Sequence, residues 1–130
     1  MFQLKIIPMT DTTNRVESTA KTTVLSFIDS LNQENFDAAR QLVTDDMTFK
    51  GVLGTRDGAE AYMDDMRKMK MKYAIKKVFA DGEDVCLFYD ITQGNITFFS
   101  AGWYKVVSDK IKSFQVIFDP RPVLEAMGKK

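Results

Sequence analysis

The last third of the chain carries the feature that most constrains its fold, a long hairpin of two strands. Aromatic and β-branched residues fill residues 96–107 and 110–119, the composition that a pleated and largely buried surface favours. Residues 108–110 predict a tight turn between the two strands. The hairpin must end at Pro120 and Pro122, because proline has no backbone N–H to give to a strand ladder. We therefore expect the preceding residues to cover one face of this hairpin.

The overall composition predicts one soluble domain over residues 1–130. The 18 basic and 18 acidic residues cancel, so no net field attracts the protein to nucleic acid or to a membrane surface. No apolar run reaches the ~20 residues that a membrane-spanning helix needs, and the first residues lack the basic region and cleavage site of a signal peptide. The single cysteine, Cys86, excludes an internal disulfide and suits a reducing compartment. We therefore expect a cytoplasmic protein with neither a nucleic-acid nor a membrane partner.

The chain contains no histidine, and this absence excludes several kinds of chemistry. Ser-His-Asp and Cys-His catalysis and histidine metal sites all require the imidazole ring. Phosphate loops, dinucleotide fingerprints and metal-ligand clusters are missing from the sequence as well. We therefore expect no metal and no cofactor. Acid–base work at neutral pH would fall to a carboxylate, a tyrosine or a lysine with a shifted pKa.

Hydrophobic spacing predicts helices in the first half of the chain and strands in the second. Residues 1–12 form an arm, with a short strand and disorder both left open. The predicted helices are 14–32, starting at a capping box on Asn14, then 36–42, and a third that begins at Asp57, with one last helical turn at 122–127. The predicted strands are 47–50, 72–80, 84–92, 96–107 and 110–119. This order indicates an α+β protein with helices on one face of a curled sheet.

The element order carries a resemblance to a known family. A short strand precedes the third helix, Asp57-Gly58 opens that helix, and residues 110–122 close the sheet. In these features residues 14–127 resemble the NTF2-like superfamily, and within it the SnoaL-like polyketide-cyclase group. The resemblance implies an NTF2-like cone, in which three N-terminal helices pack on a curved, mainly antiparallel sheet around a ligand-binding pocket. Members include isomerases, cyclases, dehydratases, epoxide hydrolases and non-catalytic domains, so the fold alone selects no activity.

Asp90 is our first candidate for a catalytic carboxylate, with Tyr62 as a hydrogen-bond donor to a developing oxyanion. Asp90 shares a strand face with Cys86 and Phe88. If that face lines an apolar pocket, desolvation would raise the pKa of Asp90 towards neutrality. The alternative is a solvated residue near the strand end.

Asp119 and Arg121 are the second choice. Together with Asp90 they supply the residue types of the Asp-Arg-Asp constellation in limonene epoxide hydrolase, although the alternative is an ion pair that fixes the C-terminal turn. Ketosteroid-isomerase chemistry is not expected, because the positions that match its tyrosine and two aspartates are Phe27, the vicinity of Gly51, and Ala101 or Gly102.

The expected ligand-binding residues are mostly aromatic, since such side chains form apolar pocket walls. The resemblance to ketosteroid isomerase implies that the strand faces carrying Phe88 and Phe118 point inward. Because side chains alternate along a strand, we expect one of Trp103 and Tyr104 to point inward as well. For each of these residues, plain core packing is the alternative. The predicted set is Phe27, Phe49, Tyr62, Met66, Phe88, Trp103, Tyr104, Phe114 and Phe118.

Three functions follow as hypotheses. The protein is a cofactor-free isomerase, cyclase or hydrolase that uses a pocket carboxylate, a non-catalytic binder of a small apolar molecule, or a dimeric scaffold whose cavity is filled by its own aromatics. An ionisable pocket group with a shifted pKa favours the first, a pocket of apolar and hydroxyl groups the second, and the absence of a cavity the third. Because the sheet has two apolar faces and helices for only one, we also expect a homodimer formed through the sheet.

Overall fold

The computed structural model describes the backbone of residues 8–128 and the side chains of residues 15–128. The helices are α1 (Pro8–Asn32), α2 (Phe36–Gln41), α3 (Ala59–Met69) and α4 (Arg121–Ala126). The strands are β1 (Val43–Lys50), β2 (Thr55–Asp57), β3 (Lys72–Asp81), β4 (Asp84–Gln93), β5 (Ile96–Val107) and β6 (Lys110–Phe118). This is the α+β arrangement that the sequence predicts.

The predicted hairpin lies in the middle of one six-stranded sheet of order β2-β1-β6-β5-β4-β3. Its turn uses Ser108 and Asp109 with φ of 51° and 67°, the left-handed geometry that matches a two-residue turn to the twist of the strands. β1 runs parallel to β6, and all the other pairs are antiparallel. The hairpin therefore supplies the sheet with two of its central strands.

The core lies between the helices and one face of this sheet. Helix α1 buries residues at helical spacing, which follow one stripe of its surface: Ala20, Val24, Phe27, Ile28 and Leu31. Helix α3 adds Tyr62, Met63 and Met66 from the other side of the cone. The fold is therefore a cone of helices on a curved sheet. Among the helices that the structure describes, none is long and apolar enough to cross a membrane.

The first helix begins earlier than the sequence predicts. It starts at Pro8, so residues 8–12 of the predicted arm belong to the helix, and Asn14 lies inside it and not at its cap. Proline is favoured at the first helical position, where its fixed φ suits the helix and its missing N–H costs no hydrogen bond. Residues 1–7 of the arm lie outside the described part of the chain.

The orientation of β4 differs from the prediction. Val85, Leu87, Tyr89 and Ile91 are buried on the helix side, whereas Phe88 is 38% exposed on the opposite face. The predicted inward orientation of Phe88 is therefore wrong. Both faces of β4 are mostly apolar, so alternation separates the two sets of side chains without deciding which set meets the helices. On β6 the prediction is confirmed, since Phe114 and Val116 face the core.

The orientation of β4 can be tested with matched leucine truncations. Leu87 has no exposed surface and Leu53, in the loop after β1, is 52% exposed. Leu87→Ala should lower the free energy of unfolding by about 2–5 kcal/mol because it leaves a core cavity, and Leu53→Ala should change it by less than about 0.5 kcal/mol. Urea unfolding followed by circular dichroism measures both. Equal losses would contradict this orientation.

Candidate functional site

A cavity of about 320 Å³ opens between the helices and the inner face of the sheet. It is bounded by α3, the loop between β1 and β2, α4 and the inner faces of β4, β5 and β6. Phenylalanine rings form much of its wall, from Phe49, Phe98, Phe114 and Phe118. Thioethers of Met66, Met69 and Met71 form another part, and such flexible groups adapt to irregular ligands. The cavity is thus mainly apolar.

Four tyrosine side chains bring hydroxyl groups into this apolar space: Tyr62, Tyr73, Tyr89 and Tyr104. The Oη atoms of Tyr89 and Tyr104 are 2.7 Å apart and share a hydrogen bond. Tyr73 Oη donates weakly to the Sδ atoms of Met66 and Met71, at 3.8 Å and 3.7 Å. Burial raises the pKa of all four phenols, because the apolar surroundings disfavour a phenolate. The hydroxyls are therefore neutral at physiological pH.

The tyrosine pair lies directly against the backbone of β5 at Gly102. A Cβ atom at this position would collide with Tyr89 Oη and lie 2.7 Å from Tyr104 Cε1. Tyr104 is fixed on its other side by stacking on Phe114, with ring centroids 4.7 Å apart and planes at 12°. Glycine thus leaves room for the tyrosine pair on one side, and the Phe114 ring packs against Tyr104 on the other.

One ion pair lies at the wall of the cavity, between Arg56 of β2 and Asp65 of α3. The Arg56 Nε and Asp65 Oδ2 atoms are 2.6 Å apart, and both residues line the cavity. Asp65 is the one acidic residue among the residues that form this wall. Because each charge has its partner within the protein, the described residues of the cavity wall present no unpaired ion to a ligand.

Asp90, the first candidate carboxylate, does not line the cavity. It lies on the outer face of β4, where its Oδ2 is 3.3 Å from Lys76 Nζ and its side chain is 29% exposed. The predicted inward orientation is wrong for the reason given for Phe88. Tyr62, its proposed partner, does reach the cavity, so the structure separates the two residues. Their catalytic roles stay predictions without support from this placement.

The second-choice residues also lie outside the cavity wall. Arg121 Nη2 and Nε bind the Asp119 carboxylate at 2.6 Å and 2.9 Å, and the Arg121 backbone N–H donates to it as well. These hydrogen bonds lower the pKa of Asp119 to about 2. Asp90 pairs with Lys76 instead, so the Asp-Arg-Asp constellation is not assembled. The geometry is that of an ion pair at the start of α4.

Six of the nine predicted ligand-binding residues line the cavity: Phe49, Tyr62, Met66, Tyr104, Phe114 and Phe118. Phe27 is fully buried one layer behind, with its ring 6.3 Å from Tyr62 and 6.0 Å from Phe114. Phe88 and Trp103 lie on the outer face, where Trp103 is 56% exposed. Tyr104, with only 1% of its surface exposed, is therefore the inward member of the Trp103–Tyr104 pair.

Sequence reasoning missed Tyr73, Tyr89 and the role of Gly102. A usable signal was present for Tyr89, because its strand face also carries Val85, Leu87 and Ile91 and no charge. The opposite face carries Asp90, and the uncharged face is the better candidate for the interior. Gly102 gave no comparable signal, since a glycine in a strand indicates that another group approaches closely but does not identify that group.

The fold and cavity define a class of protein, a small α+β cone that encloses an apolar cavity. Residues 24–114 match the SnoaL-like domain, so the chain belongs to the SnoaL-like family, whose fold is NTF2-like. No match was found among curated proteins.

Solved structures share the fold. An NTF2-like protein of unknown function from Cytophaga hutchinsonii ATCC 33406 is 46% identical, with a TM-score of 0.80 over 81% of this chain and 94% of that one. An LEH-like epoxide hydrolase of M. tuberculosis is 21% identical, with a TM-score of 0.75 over 84% and 89%. A de novo designed protein with a curved β-sheet is 17% identical, with a TM-score of 0.70 over 85% of this chain and 95% of that one. The last two show similarity of fold alone.

Gly102→Ala tests whether the missing side chain holds the tyrosine pair. The added methyl group should lower the free energy of unfolding by about 1–3 kcal/mol through overpacking, measured by urea unfolding. Gly54→Ala is the control, since a Cβ there meets no atom within 4 Å. Adding Tyr89→Phe to Gly102→Ala removes the nearest atom and should restore part of the loss. No loss for Gly102→Ala, or no recovery in the double variant, would contradict this packing.

Proposed function

We propose that this protein binds a small, largely apolar molecule in the cavity and does not transform it. The observation that carries the proposal is the cavity wall of phenyl rings, thioethers and neutral hydroxyls. Ligand sites of this kind take most of their affinity from apolar contact and their orientation from a few polar groups. The cytoplasmic location is part of the proposal and is supported by the single cysteine.

Binding without chemistry is favoured over the catalytic alternative by what the cavity offers. An acid–base mechanism needs an ionisable group that can exchange a proton with the ligand. Asp65 is ion-paired with Arg56, Asp90 lies on the outer face, and the raised pKa values of the tyrosines make them weak acids. The scaffold alternative is disfavoured because the aromatic side chains leave an open volume of about 320 Å³.

A variant that fills the cavity should abolish binding. Val123 of α4 is half-buried and lines the cavity, whereas Glu125 of the same helix is exposed. Val123→Trp should weaken binding of tetralin, a bicyclic hydrocarbon probe, by at least tenfold because the indole occupies the ligand's volume. Glu125→Trp should leave binding unchanged.

Saturation-transfer NMR measures this binding, and circular dichroism checks that both variants fold. Native mass spectrometry of the freshly purified protein would in addition reveal a molecule retained from the cell. If tetralin fails to bind the wild type, or binds Val123→Trp equally well, the cavity is not a binding site for such molecules.

We further propose that the protein is a homodimer through the outer face of the sheet. This face exposes Phe79, Phe88, Phe99, Trp103 and Ile117, four of them by more than half. Phe88 lies between Phe79 and Phe99, with ring centroids at 5.7 Å and 6.0 Å, so these three rings form a continuous patch. Contiguous apolar patches of this kind mark interaction surfaces.

A second copy of the chain is the partner that best fits this outer face. The charges beside the patch come in both signs, Asp90 with Lys76 and Asp84 with Lys105. A twofold axis through the patch would bring the acidic residues of one copy near the basic residues of the other. An isologous interface becomes self-complementary in this way. A partner of strongly acidic or basic character would find no matching field on this surface.

Phe99→Asp should convert the dimer to a monomer, because a buried charge without a partner is costly at an interface. Leu53→Asp is the matched control, since Leu53 is similarly exposed but lies in the loop after β1. Sedimentation velocity at micromolar concentration should show a dimer for the wild type and Leu53→Asp, and a monomer for Phe99→Asp. A monomeric wild type would overturn the dimer proposal without affecting the ligand proposal.

A further inference from the structure

The Tyr89–Tyr104 pair has one hydroxyl proton more than it uses. Two phenols carry two protons, and the single hydrogen bond of 2.7 Å between their oxygens takes one of them. Neither hydroxyl has another hydrogen-bond partner among the described residues. Both side chains line the cavity and are almost completely buried. An acceptor for the remaining proton would therefore have to lie within the cavity.

A second unsatisfied hydroxyl lies beside this pair. Ser100 is directly opposite Tyr89 in the β4–β5 register, and it shares the inward face of β5 with Tyr104. It is 1% exposed, and its Oγ has no hydrogen-bond partner within the described part of the chain. Buried polar groups are normally hydrogen-bonded, because leaving one unpaired costs free energy. The described residues therefore leave hydrogen-bonding capacity unused in this part of the sheet, although Ser100 itself is not among the residues that line the cavity.

The charge around the pair limits which groups it can receive. All four phenols are neutral, and the cation of the cavity wall, Arg56, is held by Asp65 at 2.6 Å. A carboxylate or phosphate would have to leave water without gaining a free counter-charge, which is costly in an apolar site. A carbonyl or ether oxygen needs only the donor that the pair provides.

We infer that the Tyr89–Tyr104 pair is a subsite for a neutral hydrogen-bond acceptor, a carbonyl or ether oxygen on an otherwise apolar ligand. This inference rests on the proposed function, since it assigns the polar end of the ligand in the same cavity. The phenyl and thioether walls hold the hydrocarbon part, and the pair fixes its orientation by one hydrogen bond from the spare proton. Gly102 allows the two hydroxyls to lie at this position.

The test compares three probes that share one bicyclic skeleton: tetralin, 1-tetralone and 1,2,3,4-tetrahydro-1-naphthoate. Affinities are measured by titration NMR for the wild type, Tyr89→Phe, Tyr104→Phe and the double variant. Either phenol can hold the spare proton, so the double variant is decisive. Its preference for 1-tetralone over tetralin should fall by about threefold to tenfold, the value of one net hydrogen bond.

Two further measurements separate hydrogen bonding from packing. The carbonyl stretch of bound 1-tetralone should lie at lower frequency in the wild type than in the double variant, because a hydrogen bond weakens the C=O bond. Thr97→Val removes a hydroxyl from the exposed side of β5, outside the cavity wall, and it should leave the ketone preference unchanged.

The possible outcomes distinguish this inference from the proposed function. If none of the probes binds the wild type, the proposed function fails. If tetralin binds but the double variant keeps the full ketone preference and the same carbonyl frequency, the subsite is wrong and the cavity remains a binding site. Tighter binding of the carboxylate than of the ketone would also overturn the neutral-acceptor assignment.

Discussion

Side chains on β4, β5 and β6 turn inward or outward together, because the ladder hydrogen bonds fix the register of these strands. Leu87, Gly102 and Val116 lie opposite one another across the three strands, as do Phe88, Ala101 and Ile117 in the neighbouring row. A one-residue slip in any strand would exchange its two faces. The cavity wall and the exposed apolar face are therefore two consequences of the same register.

The inner face combines two requirements that usually conflict. An apolar ligand favours an apolar wall, whereas orienting that ligand requires polar atoms, and burying such atoms is costly unless they are hydrogen-bonded. The tyrosines reduce this cost because their rings are apolar and only their hydroxyls need partners. Tyr89 and Tyr104 partly satisfy each other, and the remaining capacity is available to a ligand.

The three carboxylates considered for the site each form an ion pair with a nearby cation. Asp90 pairs with Lys76 on the outer face, Asp119 with Arg121 at the start of α4, and Asp65 with Arg56 at the wall. Such exposed pairs contribute little stability individually, but the Arg56–Asp65 pair neutralises the two charges that line the described cavity wall. The arrangement suits recognition of a neutral ligand better than proton transfer to one.

The sequence by itself determined the order of the helices and of five of the six strands, the central hairpin and its end at two prolines, because strand and helix periodicity and proline chemistry are local properties. It missed the three-residue strand β2, which is too short to show a period. It also identified most of the aromatic wall. It specified only weakly which face of β4 meets the helices, since Val85–Ile91 is mostly apolar on both sides and Asp90 alone marks the outer one. The approach of Tyr89 and Tyr104 over Gly102, and the pairing of Arg56 with Asp65, join residues of different strands and helices. Only the tertiary structure decided these contacts, because they depend on strand register and helix packing that no local pattern encodes.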